Sequence, residues 1–176
     1  MSAQTLLMIV NDILDFSKVE SGKLTLESIE FNLATLVTNL WKVMNYSTQA
    51  KSIDFECTLN VPSDLCLMGD PGRIKQILTN LLSNAIKFTQ HGAVKLTVTA
   101  LDSRTQGMRV IFMVEDSGIG INKDVLAGLF VPYQQGDSST SRLFGGSGLG
   151  LSISRQVCPS LSRSQDSSTD ALSLLV

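Results

Sequence analysis

Apolar positions in the first twenty residues form two neighbouring seams, Leu7, Val10 and Leu14 beside Leu6, Ile9 and Ile13. At helical spacing the seams merge into one wide apolar face, so the pattern predicts a helix over residues 4–20. A face that wide suits a helical bundle as well as packing on its own domain. Gly22 follows as a natural helix stop. Asn32 is placed to cap a second helix whose inner face would carry Leu33, Leu36, Leu40, Val43 and Ser47. The period then changes to two: Ile53, Phe55, Cys57 and Leu59 alternate with polar residues and predict a strand. Asp70-Pro71 is a helix start, with Asp as cap and Pro at the first helical position. That third helix runs to about Phe88 and ends at His91-Gly92. Val94, Leu96 and Val98 alternate with Lys95, Thr97 and Thr99, which predicts a strand buried on one face. Residues 110–114 are apolar throughout, which predicts a central strand buried on both. The polar stretch 102–107 turns the chain between them.

Beyond Asp116 the periodicity fades. Residues 116–150 are rich in Gly, Ser and Gln, and a loop this long inside a compact domain is usually functional or mobile. Pro159 disfavours helix at Cys158 and would interrupt one itself, so the regular structure is expected to break there. A Ser-rich stretch follows, with no clear period before Ala171 to Val176. The strand at 110–114 is therefore expected to keep one open edge and the chain to be only marginally stable. There are no internal repeats. The elements imply an α/β (α+β) two-layer sandwich with one mixed or antiparallel sheet covered by helices on one face. Their order is not the βαβ alternation of a doubly wound fold.

Composition narrows the partners. With 176 residues, 43% of them apolar, the chain can bury the core of one domain plus a short appendage. A net charge of −2 offers no electrostatic reason to expect nucleic acid or an anionic membrane. No apolar run approaches the ~18–20 residues of a membrane span. Asn11, Asp12 and Asp15 interrupt the N-terminal apolar residues, unlike a signal peptide. Cys57, Cys66 and Cys158 are odd in number and lack a C-x-x-C pair, which suggests neither a disulfide framework nor a zinc site. A reduced, cytoplasmic setting fits, and a longer parent protein could still be membrane-attached.

Three segments carry candidate chemistry. On the third helix Arg73, Gln76, Asn80, Asn84 and Lys87 fall within one narrow stripe, opposite Ile74, Ile77, Leu78, Leu81, Ala85 and Phe88. A solvated face is normally built from Lys and Glu; two mid-helix Asn residues are poorer helix formers. Amide groups offer a neutral oxygen to a hard cation and N–H donors to phosphate, although a merely polar face is the plainer reading of this stripe alone. Asp116-Ser117-Gly118-Ile119-Gly120 leaves the central strand, with a carboxylate able to accept from an exocyclic amine and glycines that admit close approach. By itself it is also an ordinary turn. Gly145-Gly146-Ser147-Gly148-Leu149-Gly150-Leu151 suits a loop whose N–H groups wrap phosphate at a helix start, with Arg142 upstream, or else a flexible linker. It is neither a Walker A loop nor a dinucleotide fingerprint. His91, the sole histidine, reads as a surface turn residue.

Taken in order, these segments resemble the boxes of sensor histidine kinases. Asn80 to Thr89 resembles the N box, and Asp116 to Gly120 the first glycine box. Phe130-Val-Pro-Tyr-Gln-Gln135 is similar to the F box, and Gly146 to Leu151 to the second glycine box. Gly69-Asp-Pro-Gly-Arg73 also matches. The likeness runs from about Gln4 to about Gln156 and is closest to hybrid kinases of two-component signalling and phosphorelays. It implies a Bergerat-type ATP-binding fold of the gyrase, chaperone and histidine-kinase superfamily, C-terminally incomplete here. It implies ATP and Mg2+ as cofactors, with Asn84 at the metal and Asn80 beside it. Lys87 and Arg142 would contact phosphate, and Asp116 the adenine amine. Gly118 and Gly120 would shape the adenine pocket, Phe130 would anchor a mobile lid, and Gly146, Gly148 and Gly150 would close over the phosphates. The implied domains are a partial dimerisation helix at 1–30, the ATP-binding domain at 31–158 and a Ser-rich tail outside the family at 159–176.

Two departures shape the functional expectation. The family's acceptor histidine lies in a Ser-His-Glu-hydrophobic-Arg-x-Pro pattern that is absent here, so no residue is assigned as catalytic. After the second glycine box the family continues with a full helix and a closing hairpin, where this chain turns to unrelated sequence. The implied function is transfer of the ATP γ-phosphoryl group to a histidine on another chain or a missing region. The alternative is a catalytically dead nucleotide-binding or dimerisation fragment. The expected partners are a second copy or a full-length kinase, met through the N-terminal helix, and a response regulator downstream. A topoisomerase- or chaperone-type ATPase would use a Glu on the third helix to activate water; Gln76 stands one turn before Asn80 and no Glu occurs on that helix.

Overall fold

In the computed structural model the described residues are 3–103, 107–122, 149–163 and 171–175, together with Gly128. The chain divides into two units, Leu26–Gly120 with Cys158–Val176, and Met1–Thr25 with Ile121–Val157.

The larger unit holds the sheets. β1 (Ile29–Asn32) pairs antiparallel with β3 (Cys66–Gly69) as a two-stranded ribbon. A four-stranded sheet has the order β2 (Asp54–Asn60), β4 (Ala93–Ser103), β5 (Gly107–Asp116), β6 (Ala171–Leu175). It is mixed: β2 runs parallel to β4, β4 antiparallel to β5, and β6 parallel to β5. The small ribbon was not anticipated, because four residues per strand are too few to show a period.

Two helices pack on each other and on this sheet. α2 (Leu33–Gln49) starts at Asn32, whose side chain accepts from the Thr35 N–H at 2.7 Å and donates to the Ser63 carbonyl at 3.0 Å. Its buried residues are Leu33, Val37, Leu40, Met44 and Thr48, so the expected face through Leu36, Val43 and Ser47 is corrected. Val43 is 63% exposed. Apolar residues flank Leu33 and Leu40 on both sides, and packing chose between them. Thr48 can go inside because its hydroxyl donates to the Asn45 carbonyl at 2.9 Å.

α3 (Pro71–Phe88) begins as read, with Asp70 accepting from the Arg73 N–H at 2.9 Å and Pro at the first position. Asp70 is buried and its other oxygen accepts from the Glu27 N–H at 3.1 Å. Ile74, Ile77, Leu78, Leu81, Leu82, Ala85 and Ile86 are buried. They share the core with Val94, Leu96 and Val98 of β4 and Val110 and Phe112 of β5. On β5 the expectation of two buried faces holds for one: Ile111 and Met113 on the reverse face are only half-buried.

The other unit contains α1 (Ala3–Glu20). Gly22 takes φ +66° and donates to the Val19 carbonyl, while Lys23 donates to the Lys18 carbonyl, the paired bonds of a glycine-terminated helix. Val10, Ile13 and Leu14 are exposed on α1. α4 (Gly150–Arg163) runs straight through Pro159, which corrects the expected break at Cys158-Pro159. The proline φ is itself helical, so what is lost is one N–H bond and some steric room, not the helical path. The open edge expected beside β5 is likewise corrected, because β6 pairs there from Arg109 to Met113. Among the described residues no helix is long and apolar enough to cross a membrane.

Candidate functional site

The α3 stripe is the first element of the site. Arg73, Gln76, Asn80, Asn84 and Lys87 are all half-buried, whereas Gly72, Lys75 and Ser83 are the residues of α3 that face solvent. The polar stripe is therefore not the most solvated side of the helix. Arg73 donates to the Gln76 carboxamide oxygen at 2.7 Å. Burial pulls the Lys87 ammonium below its ordinary pKa; its Nζ sits 4.8 Å from the centroid of the Phe88 ring.

The second element is the exit of β5. Residues directly opposite in adjacent strands project to the same side, and Asp116 pairs with Val94, which pairs with Phe55. Phe112, Val114 and Asp116 alternate onto that same, helix-covered side. Strand period thus delivers an exposed carboxylate at the end of the core face, beside α3. Asp116 Oδ1 accepts from the Gly118 N–H at 2.8 Å, closing a local turn that leaves Oδ2 outside this bond.

These elements are tied backbone to backbone. A Cβ on Gly118 would lie 2.6 Å from the Phe88 carbonyl oxygen, so only glycine admits this approach. The Ile119 N–H donates to that same carbonyl at 3.4 Å. The other terminal carbonyls of α3 are also engaged: Ala85 by the Thr89 N–H at 3.0 Å, Ile86 by Lys51 Nζ at 2.8 Å, and Lys87 by the same ammonium at 3.3 Å. Ser117 locks the preceding turn, its Oγ accepting from the Ala93 N–H at 2.9 Å and its own N–H donating to the Ala93 carbonyl at 3.1 Å. Gly92, at φ +111°, leaves room for that hydroxyl, because a Cβ there would collide with Ser117 Oγ. The exposed His91 is carried on this same turn.

Lys51, Gly92 and Ser117 were missed from sequence. Gly92 carried a signal, a glycine ending a helix, and Ser117 lay within the Asp116–Gly120 turn without a role of its own; Lys51 carried none. Asn80, Asn84, Lys87, Asp116, Gly118 and Gly120 all lie in the larger unit, with Gly120 at φ +68°. Gly150 opens α4 in the other unit. Phe130, Arg142, Gly146 and Gly148 lie outside the described residues.

The donor chemistry sets what a metal would need. Among the described residues no group of three or more His, Cys, Asp or Glu can hold an ion. Asn80 and Asn84 supply neutral oxygens, which fit a hard divalent cation only where phosphate brings the negative charge.

Residues 69–167 match the family of histidine kinase-, DNA gyrase B- and HSP90-like ATPases. The chain belongs to that family. Within it the likeness is to histidine kinases, so the fold is a histidine-kinase ATP-binding catalytic domain. The sensor histidine kinase GacS of Pseudomonas protegens is 42% identical over 156 residues, covering 89% of this chain and 17% of the relative. The chain thus spans about a sixth of that curated relative's length. The crystal structure of full-length ShkA in complex with AMPPNP superposes with a TM-score of 0.71 at 31% identity, over 88% of this chain and 30% of that one. The histidine kinase ThkA in complex with the response regulator TrrA gives 0.61 at 31% identity, over 89% and 41%.

Proposed function

We propose that this chain binds ATP with Mg2+ between the α3 stripe and the Asp116–Gly120 turn and presents the γ-phosphoryl group to a histidine outside the chain. The observation that carries the reading is the backbone junction at Phe88 and Gly118, which joins the two candidate half-sites. Asp116 would accept the adenine amine through its outward oxygen. Gly118 and Gly120 would let the base lie against backbone. Lys87 would meet phosphate, and phosphate charge would offset the burial that depresses its ammonium. Mg2+ would be held by Asn84 with Asn80 beside it, and when bound it neutralises phosphate charge. By resemblance alone, Phe130, Arg142, Gly146, Gly148 and Gly150 would also serve the nucleotide. Positioning and charge neutralisation account for most of phosphoryl transfer, so a chain without its own acceptor can still be the catalytic half. Gln76, already bonded to Arg73, and the lack of any Glu on α3 oppose a hydrolytic role.

The remaining assignments follow from the same reading. The chain would divide into a dimerisation helix at 1–30, the ATP-binding domain at 31–158 and a tail at 159–176. The exposed Val10, Ile13 and Leu14 on α1 suit packing against a second copy or a full-length kinase. The ThkA–TrrA complex supports a response regulator downstream. The setting would be cytoplasmic.

Calorimetry with Mg-ATP tests the site. Asp116→Ala and Asn84→Ala should each weaken binding about tenfold to a hundredfold, the usual cost of a lost buried hydrogen bond. Unchanged affinity in both sinks the assignment. A second reading, a nucleotide-binding module without transfer, is favoured by one observation: the sole histidine lies on a surface turn. Labelled γ-phosphate appearing on an added acceptor domain excludes it. Label on this chain that vanishes in His91→Ala would instead identify His91 as an acceptor.

A further inference from the structure

Lys51 belongs to none of the matched boxes, yet its ammonium reaches across to α3 and donates to the carbonyls of Ile86 and Lys87 at 2.8 and 3.3 Å. The backbone beneath it is held. Lys51 N–H donates to the Thr48 carbonyl at 3.0 Å, Ile53 N–H returns to the same carbonyl at 3.0 Å, and Ser52 takes φ 55° between them. A side chain launched from so fixed a turn loses less freedom when it bonds. Its target is the end of α3 where carbonyls have no partners within the helix and the backbone dipole is negative, so a cation there stabilises the last turn.

That turn carries Lys87. Were the carbonyls of Ile86 and Lys87 left to water, the last turn would fray and Lys87 would leave the stripe it shares with Asn80 and Asn84. Asp116 is held by the β4–β5 ladder through its pairing with Val94, and the Phe88 carbonyl beside Gly118 has its own donor in the Ile119 N–H, so neither depends on Lys51 directly. We infer that Lys51 is a positioning residue of the nucleotide site, holding the phosphate-facing end of α3 in register without touching the ligand. The inference rests on the ATP reading above and deepens it: Lys51 acts on phosphate recognition and leaves adenine recognition alone.

The test uses the full chain with Lys51→Met and Lys51→Arg, and compares affinity for Mg-ATP with affinity for adenosine. Lys51→Met should weaken ATP about three- to tenfold, the net worth of an ordinary hydrogen bond at an exposed site, and change adenosine less than about twofold. Lys51→Arg, which keeps a donor and a charge, should recover most of the ATP affinity. The loss should persist at ~1 M salt, where the Debye length is about 3 Å and a through-space charge effect would fade. Equal weakening of ATP and adenosine, or no weakening of either in a folded variant, overturns the inference. Without nucleotide, amide exchange across residues 85–89 should quicken in Lys51→Met and not in Lys51→Arg. Unchanged exchange overturns it whether or not the chain binds ATP. Failure of the unaltered chain to bind ATP overturns the site reading instead.

Discussion

At its N-terminal end α3 is closed chiefly by two adjacent residues, Asp70 and Pro71, with one long-range bond from the Glu27 N–H. At its C-terminal end the closing groups come from its own cap residue Thr89, from Lys51 after α2 and from Ile119 after β5. The first end is built by local chemistry and carries none of the proposed nucleotide contacts. The second is assembled from distant segments and bears Lys87 next to the Asp116 turn. Their difference teaches that start signals can be self-sufficient, while the geometry of a binding site is a property of segments that meet only in the folded chain.

The largest expected effect lies at the C-terminal end. Gly118→Val places atoms against the Phe88 carbonyl, and the backbone cannot yield as a side chain would. Overpacking of this kind costs about 3 kcal/mol, read as a lower urea midpoint, and ATP binding should fail with it. A loss under about 1 kcal/mol would show that the two half-sites do not meet so closely.

Asp70→Ala should come next, lowering stability by about 2 kcal/mol, since a buried cap and a second accepted N–H vanish together. ATP affinity of the folded fraction should stay within about twofold. A large affinity loss would break the comparison by showing that the N-terminal end also sets the site.

Ser117→Ala should cost about 1 kcal/mol, the usual net worth of a hydrogen bond, because it strands the Ala93 N–H. Its ATP affinity should fall more than that of Asp70→Ala although its stability falls less. The reverse order would contradict the assignment of function to the C-terminal end.

The smallest effect is a pH trend. Burial lowers the folded-state pKa of Lys87 below its unfolded value, so between the two the unfolded chain binds more protons and stability rises with pH. The cost of holding the charged ammonium is fully present below the folded pKa and gone above the unfolded one. The nearby Phe88 ring offsets part of it. Melting curves of the unaltered chain and Lys87→Met should therefore draw together, the unaltered chain gaining, as pH climbs into the ordinary lysine range. A parallel pair of curves would show that no buried charge is relieved there.

Much of the architecture was legible because it depends on short-range rules. Asn32 and Asp70 were readable as caps because a cap needs only a side-chain oxygen and N–H groups three residues on. The α3 stripe and the alternation of β4 follow from helical and strand periods. The α2 face was misread because both candidate faces share Leu33 and Leu40, and only packing separated them. Pro159 was misread because a proline's cost weighs against the burial of the whole helix, which holds Ile153 and Val157 inside. The strand Ala171–Leu175 was undervalued for a similar reason, since the edge of β5 supplies a ladder that five isolated residues cannot.

The sequence by itself determined the order of elements, the residues able to cap them, and the amide, carboxylate and glycine side chains that resemble an ATP site. It did so because caps, periods and motifs are interactions within a few residues along the chain. The tertiary structure decided that β5 alternates Asp116 onto the helix-covered side, that Gly118 meets the Phe88 carbonyl, and that Lys51 reaches the last turn of α3. The last two join groups about thirty residues apart or more. No local pattern encodes such a distance, and only close packing of the intervening core brings it to a few ångströms.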